Sequence, residues 1–162
     1  MRPLKERREL LLELANRAKE IDGRKKFQKI VYILQQLGAP FEEKFTYHYY
    51  GPYSPTLQLE IDDLVTSGKL EESKSNPYAY TYKPTQKNET SFLERYNNII
   101  NFLANKPSYL LELVSTIFYL KEHYTSDRMF LRSKLAILKP RLKRYFDDAF
   151  DLFEKLQQSS KS

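Results

Sequence analysis

GRKKFQKIVYILQQLG, residues 23–38, is the stretch on which the fold turns. At about 100° per residue, Phe27, Ile30, Val31, Ile33, Leu34 and Leu37 fall in one wide arc and must be buried. The opposite arc carries Lys25, Gln28, Lys29, Tyr32, Gln35 and Gln36, which are long-chained and polar with no acid among them. Gly38 supplies a left-handed cap and Pro40 a stop, so the spacing predicts a helix over 24–37.

Upstream, Leu10, Leu11, Leu14, Ala15, Ala18 and Ile21 recur at helical steps and predict a first helix over 4–21, stopped at Asp22-Gly23. Downstream, the β-branched and aromatic run at 45–50 predicts a short strand. Residues 51–55 then form a turn, with Ser54 as N-cap and Pro55 in the first helical position. A third helix follows over 55–67, its core stripe being Leu57, Ile61, Leu64 and Val65. The runs 69–73 and 78–83 flank a Lys-Ser-Asn-Pro turn and predict a β-hairpin with Tyr78, Tyr80 and Tyr82 on one face. Residues 1–84 thus read as a winged-helix-like unit with a small β-hairpin.

Beyond Pro84 the pattern is helical over 89–103, 108–122, 127–138 and 141–157. The 108–122 segment is apolar nearly all round, which places it at the centre of a packed structure. The expected fold class is mainly α (α+β), with a helical C-terminal bundle over 85–158 packed on the first unit and a disordered tail at 159–162.

Composition narrows the function. With no cysteine, disulfides, thiolate metal sites and cysteine nucleophiles are excluded, and His48 and His123 are too few for a multi-histidine metal centre. No run of about 18 apolar residues exists for a membrane span, and the basic start lacks a signal-peptide core. These features predict a cytoplasmic protein without metal or cofactor. The net charge of +6 is unevenly spread. Residues 1–29 and 128–144 are basic, whereas Glu42, Glu43, Glu60, Asp62, Asp63, Glu71 and Glu72 lie between them.

Three stretches carry a resemblance: GRKKFQKIVYILQQLG at 23–38, HYYGPYSPTLQLEIDDLVTSGKL at 48–70 and LLELVSTIFYLKE at 110–122. In order and spacing they resemble the YwgA-like proteins of bacteria and archaea, and more distantly the SocA-like or Panacea domains. The shared pattern is a Gln-Lys-x-x-Tyr-x-x-Gln helix followed by a Tyr-Gly-Pro-Tyr turn into a helix. The resemblance covers most of residues 20–125. Its Panacea side implies antitoxin or adaptor roles, and its YwgA side implies fold rather than substrate.

A winged-helix shape invites a DNA-binding reading, but the outward arc of the third helix holds Leu59, Asp62, Asp63 and Thr66, flanked by Glu60. No Arg or Lys in that helix offsets the repulsion from phosphates. The leading reading is therefore a non-enzymatic interaction protein. It would hold a protein partner through Gln28, Lys29, Tyr32 and Gln35 and the turn Tyr50, Gly51, Pro52 and Tyr53. The same strip could instead buttress the C-terminal helices, and the tyrosines could simply pack around the turn. The alternative function is DNA binding through Arg24, Lys25, Arg132, Lys134, Arg141, Lys143 and Arg144. His48 reads as a core or rim residue. The pairs Glu42-Glu43 and Asp62-Asp63 do not form opposed carboxylates, and no nucleotide-binding, nucleophile-elbow or zincin motif is present, so no catalytic residue is assigned. A homodimer would give the apolar 108–122 helix further cover.

Overall fold

α2 (Arg24–Gln36) forms where its apolar arc predicts it, and Phe27, Ile30, Val31, Ile33 and Leu34 are buried. Around it, a computed structural model describing residues 2–76 and 79–159 places a mainly α chain with small antiparallel sheets. The N-terminal half runs α1 (Leu4–Ala18), β1 (Ile21–Asp22), α2, β2 (Thr46–His48), β3 (Gly51–Tyr53), α3 (Pro55–Thr66), β4 (Leu70–Asn76) and β5 (Ala79–Pro84). A 3-10 turn, Glu94–Tyr96, leads into α4 (Asn97–Ala104), α5 (Ser108–His123) and α6 (Arg128–Leu138). A second 3-10 turn, Pro140–Tyr145, precedes α7 (Phe146–Ser159).

Several boundaries differ from the sequence reading. α1 stops three residues early because Ile21 and Asp22 leave the helix to pair with Tyr82 and Thr81, making β1 the edge of a β1-β5-β4 sheet. Gly23 consequently starts α2 rather than ending α1. The 45–50 run is not one strand. It reverses at Tyr49-Tyr50, and β2 pairs with β3 in the register Thr46↔Tyr53 and His48↔Gly51. Gly51 completes the reversal at φ +101°, which an L side chain rarely adopts, and a Cβ there would lie 3.0 Å from Thr116 Oγ1. Ser54 caps α3 as expected, accepting from Leu57 N at 3.2 Å. Ser159 belongs to α7, its Oγ donating to Lys155 O at 3.0 Å. Tyr78 and 160–162 lie outside the described residues.

One apolar core runs from Leu10 and Leu14 of α1 through Phe27, Ile61, Tyr82 and Ile100 to Phe150 and Leu156 of α7. α5 lies at its centre, against α2, α6, α7 and β3. Cover for this apolar helix thus comes from within a single chain. The two halves are also joined by one carboxylate. Glu13, buried on α1, accepts from Arg17 Nε at 2.7 Å, Thr90 Oγ1 at 2.7 Å, Phe92 N at 2.9 Å and Leu93 N at 2.8 Å. It satisfies backbone donors just before α4 that no helix reaches.

The segregated charges of the sequence largely meet one another. Arg7 lies 3.6 Å from Glu60, Arg8 lies 3.3 Å from Asp63, and Arg2 lies 3.1 Å from Glu6. Basic α1 is thereby neutralised against acidic α3, and each exposed pair contributes little stability on its own. No helix of the described residues is long and apolar enough to cross a membrane.

Replacing Glu13 with Ala strips the Arg17 charge and the Phe92 and Leu93 backbone N–H groups of their acceptor, while Thr90 keeps Asn88 Oδ1 at 2.6 Å. The variant should lose about 3 kcal/mol of unfolding free energy, read as a lower urea midpoint.

Candidate functional site

The polar arc of α2 faces inward. Residues 39–54 cross the molecule with little regular structure, so their backbone groups need partners from side chains. Gln28 forks onto Ser54, its Nε2 donating to Ser54 O and its Oε1 accepting from Ser54 N, both at 2.9 Å. Two turns on, Gln35 forks onto Glu43, donating to O at 2.9 Å and accepting from N at 2.8 Å. Lys29 Nζ donates to Pro52 O at 2.6 Å. Tyr32 is buried with its ring edge-on to Phe45, 4.9 Å between centroids, and its hydroxyl 3.4 Å from Glu122 Oε2. This corrects the expected surface strip: Gln28, Lys29 and Tyr32 are buried, Gln35 is mostly covered, and all four are occupied within the chain. The C-terminal helices receive three residues of this arc among those described, Lys25 at Glu112 and Tyr32 and Gln36 at Glu122.

What the forks hold in place is the β2–β3 hairpin. Gly51 and Pro52 are buried and Tyr53 is half-buried beside His48, with ring centroids 5.0 Å apart. His48 sits at the rim, its Nε2 paired with Thr46 Oγ1 at 2.9 Å. At the tip, Tyr49 is 76% exposed and Tyr50 55% exposed, their rings edge-to-face at 4.8 Å. Two clefts adjoin across Lys25, Tyr49 and Tyr50. One, of about 350 Å³, lies between α2 and the hairpin and is lined by Arg24, Lys29, His48, Tyr53 and Gln58 among others. The other, of about 510 Å³, lies against Tyr47, Tyr109, Glu112, Lys139 and Arg141.

The charge beneath this surface is unbalanced. Buried Glu112 of α5 accepts Lys25 Nζ at 2.6 Å and lies 2.9 Å from Lys139 Nζ, which also donates to Tyr49 O at 2.7 Å. Lys29 adds a third amine to the same neighbourhood. Burial lowers it to about 7, and repulsion from Lys25 and Lys139 acts in the same direction against the pull of Glu112. Sequence reading missed Lys139 and Glu112. They are 27 residues apart, Glu112 on α5 and Lys139 in the link after α6, and nothing in their local patterns joins them.

No protein-family profile matches the chain. It is 32% identical over 162 residues to a protein of Bacillus subtilis (strain 168) named uncharacterized protein YwgA, covering 91% of this chain and 95% of that relative. The chain belongs to the YwgA family. Two of the three stretches behind the earlier resemblance supply the α2 forks and the tyrosine hairpin of this YwgA-family protein.

The expected basic sites divide. Arg24 lies 3.7 Å from Glu72 and over the Tyr80 ring, Lys25 is held by Glu112, and Arg132 lies 2.9 Å from Asp147. Lys134, Arg141, Lys143 and Arg144 have no ion-pair partner among the described residues. Glu60, expected to flank an outward acidic face, is instead only 3% exposed. It adjoins buried Glu43, and no N–H or O–H of the protein reaches either Glu60 oxygen. Arg7 Nε, 3.6 Å from Glu60 Oε1, offsets its charge without donating to it, and a proton shared with Glu43 supplies a donor. Burial, followed by the Glu60 charge, pushes the Glu43 carboxyl up to about 8, and burial raises Glu60 as well. Neither residue lines the two clefts beside the hairpin. Among the described residues no group of three or more His, Asp or Glu could hold a metal ion.

The carboxyl pair makes stability depend on pH. Folded Glu43 keeps its proton up to about 8, whereas an ordinary carboxyl releases it near 4.5, so the folded state binds more protons between those values. This contribution is complete below about 4.5 and is lost as pH rises to about 8. Lys29 acts in the opposite sense between about 7 and 10.5, so the comparison must isolate Glu43. Urea midpoints at pH 5 and pH 8 should differ less in Glu43→Gln than in the parent.

Proposed function

We propose that the protein is a non-enzymatic interaction protein whose working surface is the tyrosine-lined double cleft at the β2–β3 tip. The observation that carries this reading is the exposure of Tyr49 and Tyr50 on a hairpin whose backbone is clamped from beneath by Gln28 and Lys29. Exposed aromatic rings on a rigid support present large contact area at small entropic cost, as interface anchors do. The earlier assignment of Tyr50 and Tyr53 to partner contact is thus kept, and Tyr49 joins them. Gln28, Lys29, Gly51 and Pro52 become their support.

The helix–helix–helix–hairpin order of 1–84 fits a winged-helix-type scaffold used for holding protein, and the Panacea-like motifs fit an adaptor or antitoxin role. The α3 surface supports protein rather than DNA as the ligand. α3 contributes no cation to meet phosphate, its Asp62 is half-exposed, and its exposed Asp63 already holds Arg8 at 3.3 Å. A second reading rests on Arg141, Lys143 and Arg144, which stand exposed on the Pro140–Tyr145 turn with no carboxylate partner among the described residues. That turn borders the same surface through Arg141 and could contact nucleic acid.

Capture from the native cell separates these readings. The Tyr49→Ala/Tyr50→Ala variant should recover its partner at least about tenfold less well than the parent, while Asp62→Asn/Asp63→Asn recovers it unchanged. Equal recovery by the tyrosine variant would remove the proposed surface. On the second reading, mixed-sequence duplex binds at about 50 mM salt and is released steeply as salt rises. Arg141→Gln/Lys143→Gln/Arg144→Gln would abolish that binding.

A further inference from the structure

We propose that Lys25, Lys29 and the face of Tyr50 form an oxyanion subsite in the smaller cleft, which receives one carboxylate or phosphate group of the bound partner. The proposal rests on reading this cleft as the partner surface and names the chemistry that the surface takes.

The cleft of about 350 Å³ is lined by Arg24, Lys25 and Lys29 and by no carboxylate. Glu112 lines the adjoining cleft and is already shared between Lys25 and Lys139, and Glu72 is held by Arg24. Lys29 is therefore left without a carboxylate of its own. It is only 1% exposed, and its one hydrogen bond among the described residues goes to Pro52 O. An ammonium carries three donors, so at least one donor direction on Lys29 is unanswered whenever it is charged. A buried polar group in that condition is costly, and an acceptor supplied by a ligand relieves the cost. Lys25 Nζ sits 4.7 Å above the Tyr50 ring, so the exposed tyrosine and the basic floor belong to one recess.

Two amines and one carboxylate surround Lys29, so positive charge is in excess there. Lys25 of α2 and Lys139 beyond α6 repel its proton, while Glu112 of α5 attracts it. Tyr47 of β2 is neutral, its phenol raised by burial despite its hydrogen bond to Thr116. His48 lines the cleft rim. An entering anion restores the proton on Lys29 and engages the amine. Binding is therefore coupled to proton uptake near neutral pH, where the empty site holds Lys29 partly uncharged.

The test titrates the full chain with sodium sulfate and, separately, sodium acetate at constant ionic strength. The Tyr50 and Gly51 backbone amides are followed by NMR at pH 6 and pH 9, and neither anion changes protonation between these values. Saturable shifts are expected, with affinity falling by roughly tenfold or more from pH 6 to pH 9. Lys25→Gln should weaken binding by roughly tenfold and keep its pH dependence. Lys29→Met should remove that dependence. Tighter sulfate binding identifies a phosphate-like group and tighter acetate binding a carboxylate, and both support the subsite. Absence of saturable shifts at pH 6, or a pH dependence retained in Lys29→Met, overturns it. Should Lys29→Met fail to fold, the Lys29 amine is titrated directly in the parent. A pKa unmoved by saturating sulfate then overturns the proposal. If sulfate binds here while partner capture is indifferent to Tyr49 and Tyr50, the partner reading fails and the anion subsite stands.

Discussion

The arrangement depends on two amide forks, seven residues apart on α2, that hold the backbone of the segment between α2 and α3. Seven residues are two helical turns, about 10 Å along the axis, so Gln28 and Gln35 project from one face at a separation an extended chain can follow. Each fork satisfies one N–H and one C=O that the segment's short strands leave unpaired. Without them the segment would carry buried backbone groups lacking partners, and its hairpin would have no fixed position over the helix. Lys29 and Tyr32, between the forks on the same face, complete the contact.

That constraint has an electrostatic consequence. Holding the hairpin against α2 buries Lys29 beneath Pro52 and brings it near Lys25, Lys139 and the single carboxylate of Glu112. A charge cluster with more amines than acids persists in a covered site only if one amine sheds its proton readily or an anion arrives. Elsewhere the opposite holds. The arginines of α1 meet the carboxylates of α3 and of α1 itself, so much of the basic N-terminus is spent inside the molecule. The net positive charge therefore matters less than where its uncompensated part lies, and some of it lies at the tyrosine cleft and on the Pro140–Tyr145 turn.

Much of the architecture was legible along the chain. The stripe of α2, the Ser54-Pro55 start of α3 and the all-round apolar character of α5 each depend on neighbours within four residues, and each formed as read. The early end of α1 was not legible, because Ile21 is as compatible with the helix stripe as with pairing to Tyr82, 61 residues later. Nor was the reversal at Tyr49-Tyr50. An aromatic run reads as continuous strand until Gly51 is known to take a positive φ against Thr116. The candidate site was legible by composition at its hairpin tyrosines and illegible at its floor, where Glu112 of α5 and Lys139 of the link after α6 lie far along the chain from α2.

Sequence alone determined that helices lie in these regions and which residues form the polar arc on α2, because periodicity is a local property. It misplaced the end of α1 and the starts of α4 and α7, which begin after 3-10 turns. Only the tertiary structure decided which way that arc faces. A row of Gln, Lys and Tyr is equally satisfied by water or by backbone groups, and the choice rests on whether another segment lies against it. Here the acceptors come from residues 8 to 90 positions away, as with Gln35 and Glu43 or Tyr32 and Glu122. Hydrogen-bond satisfaction at that range is a property of packing, so the surface moved from α2 to the tyrosines that α2 supports.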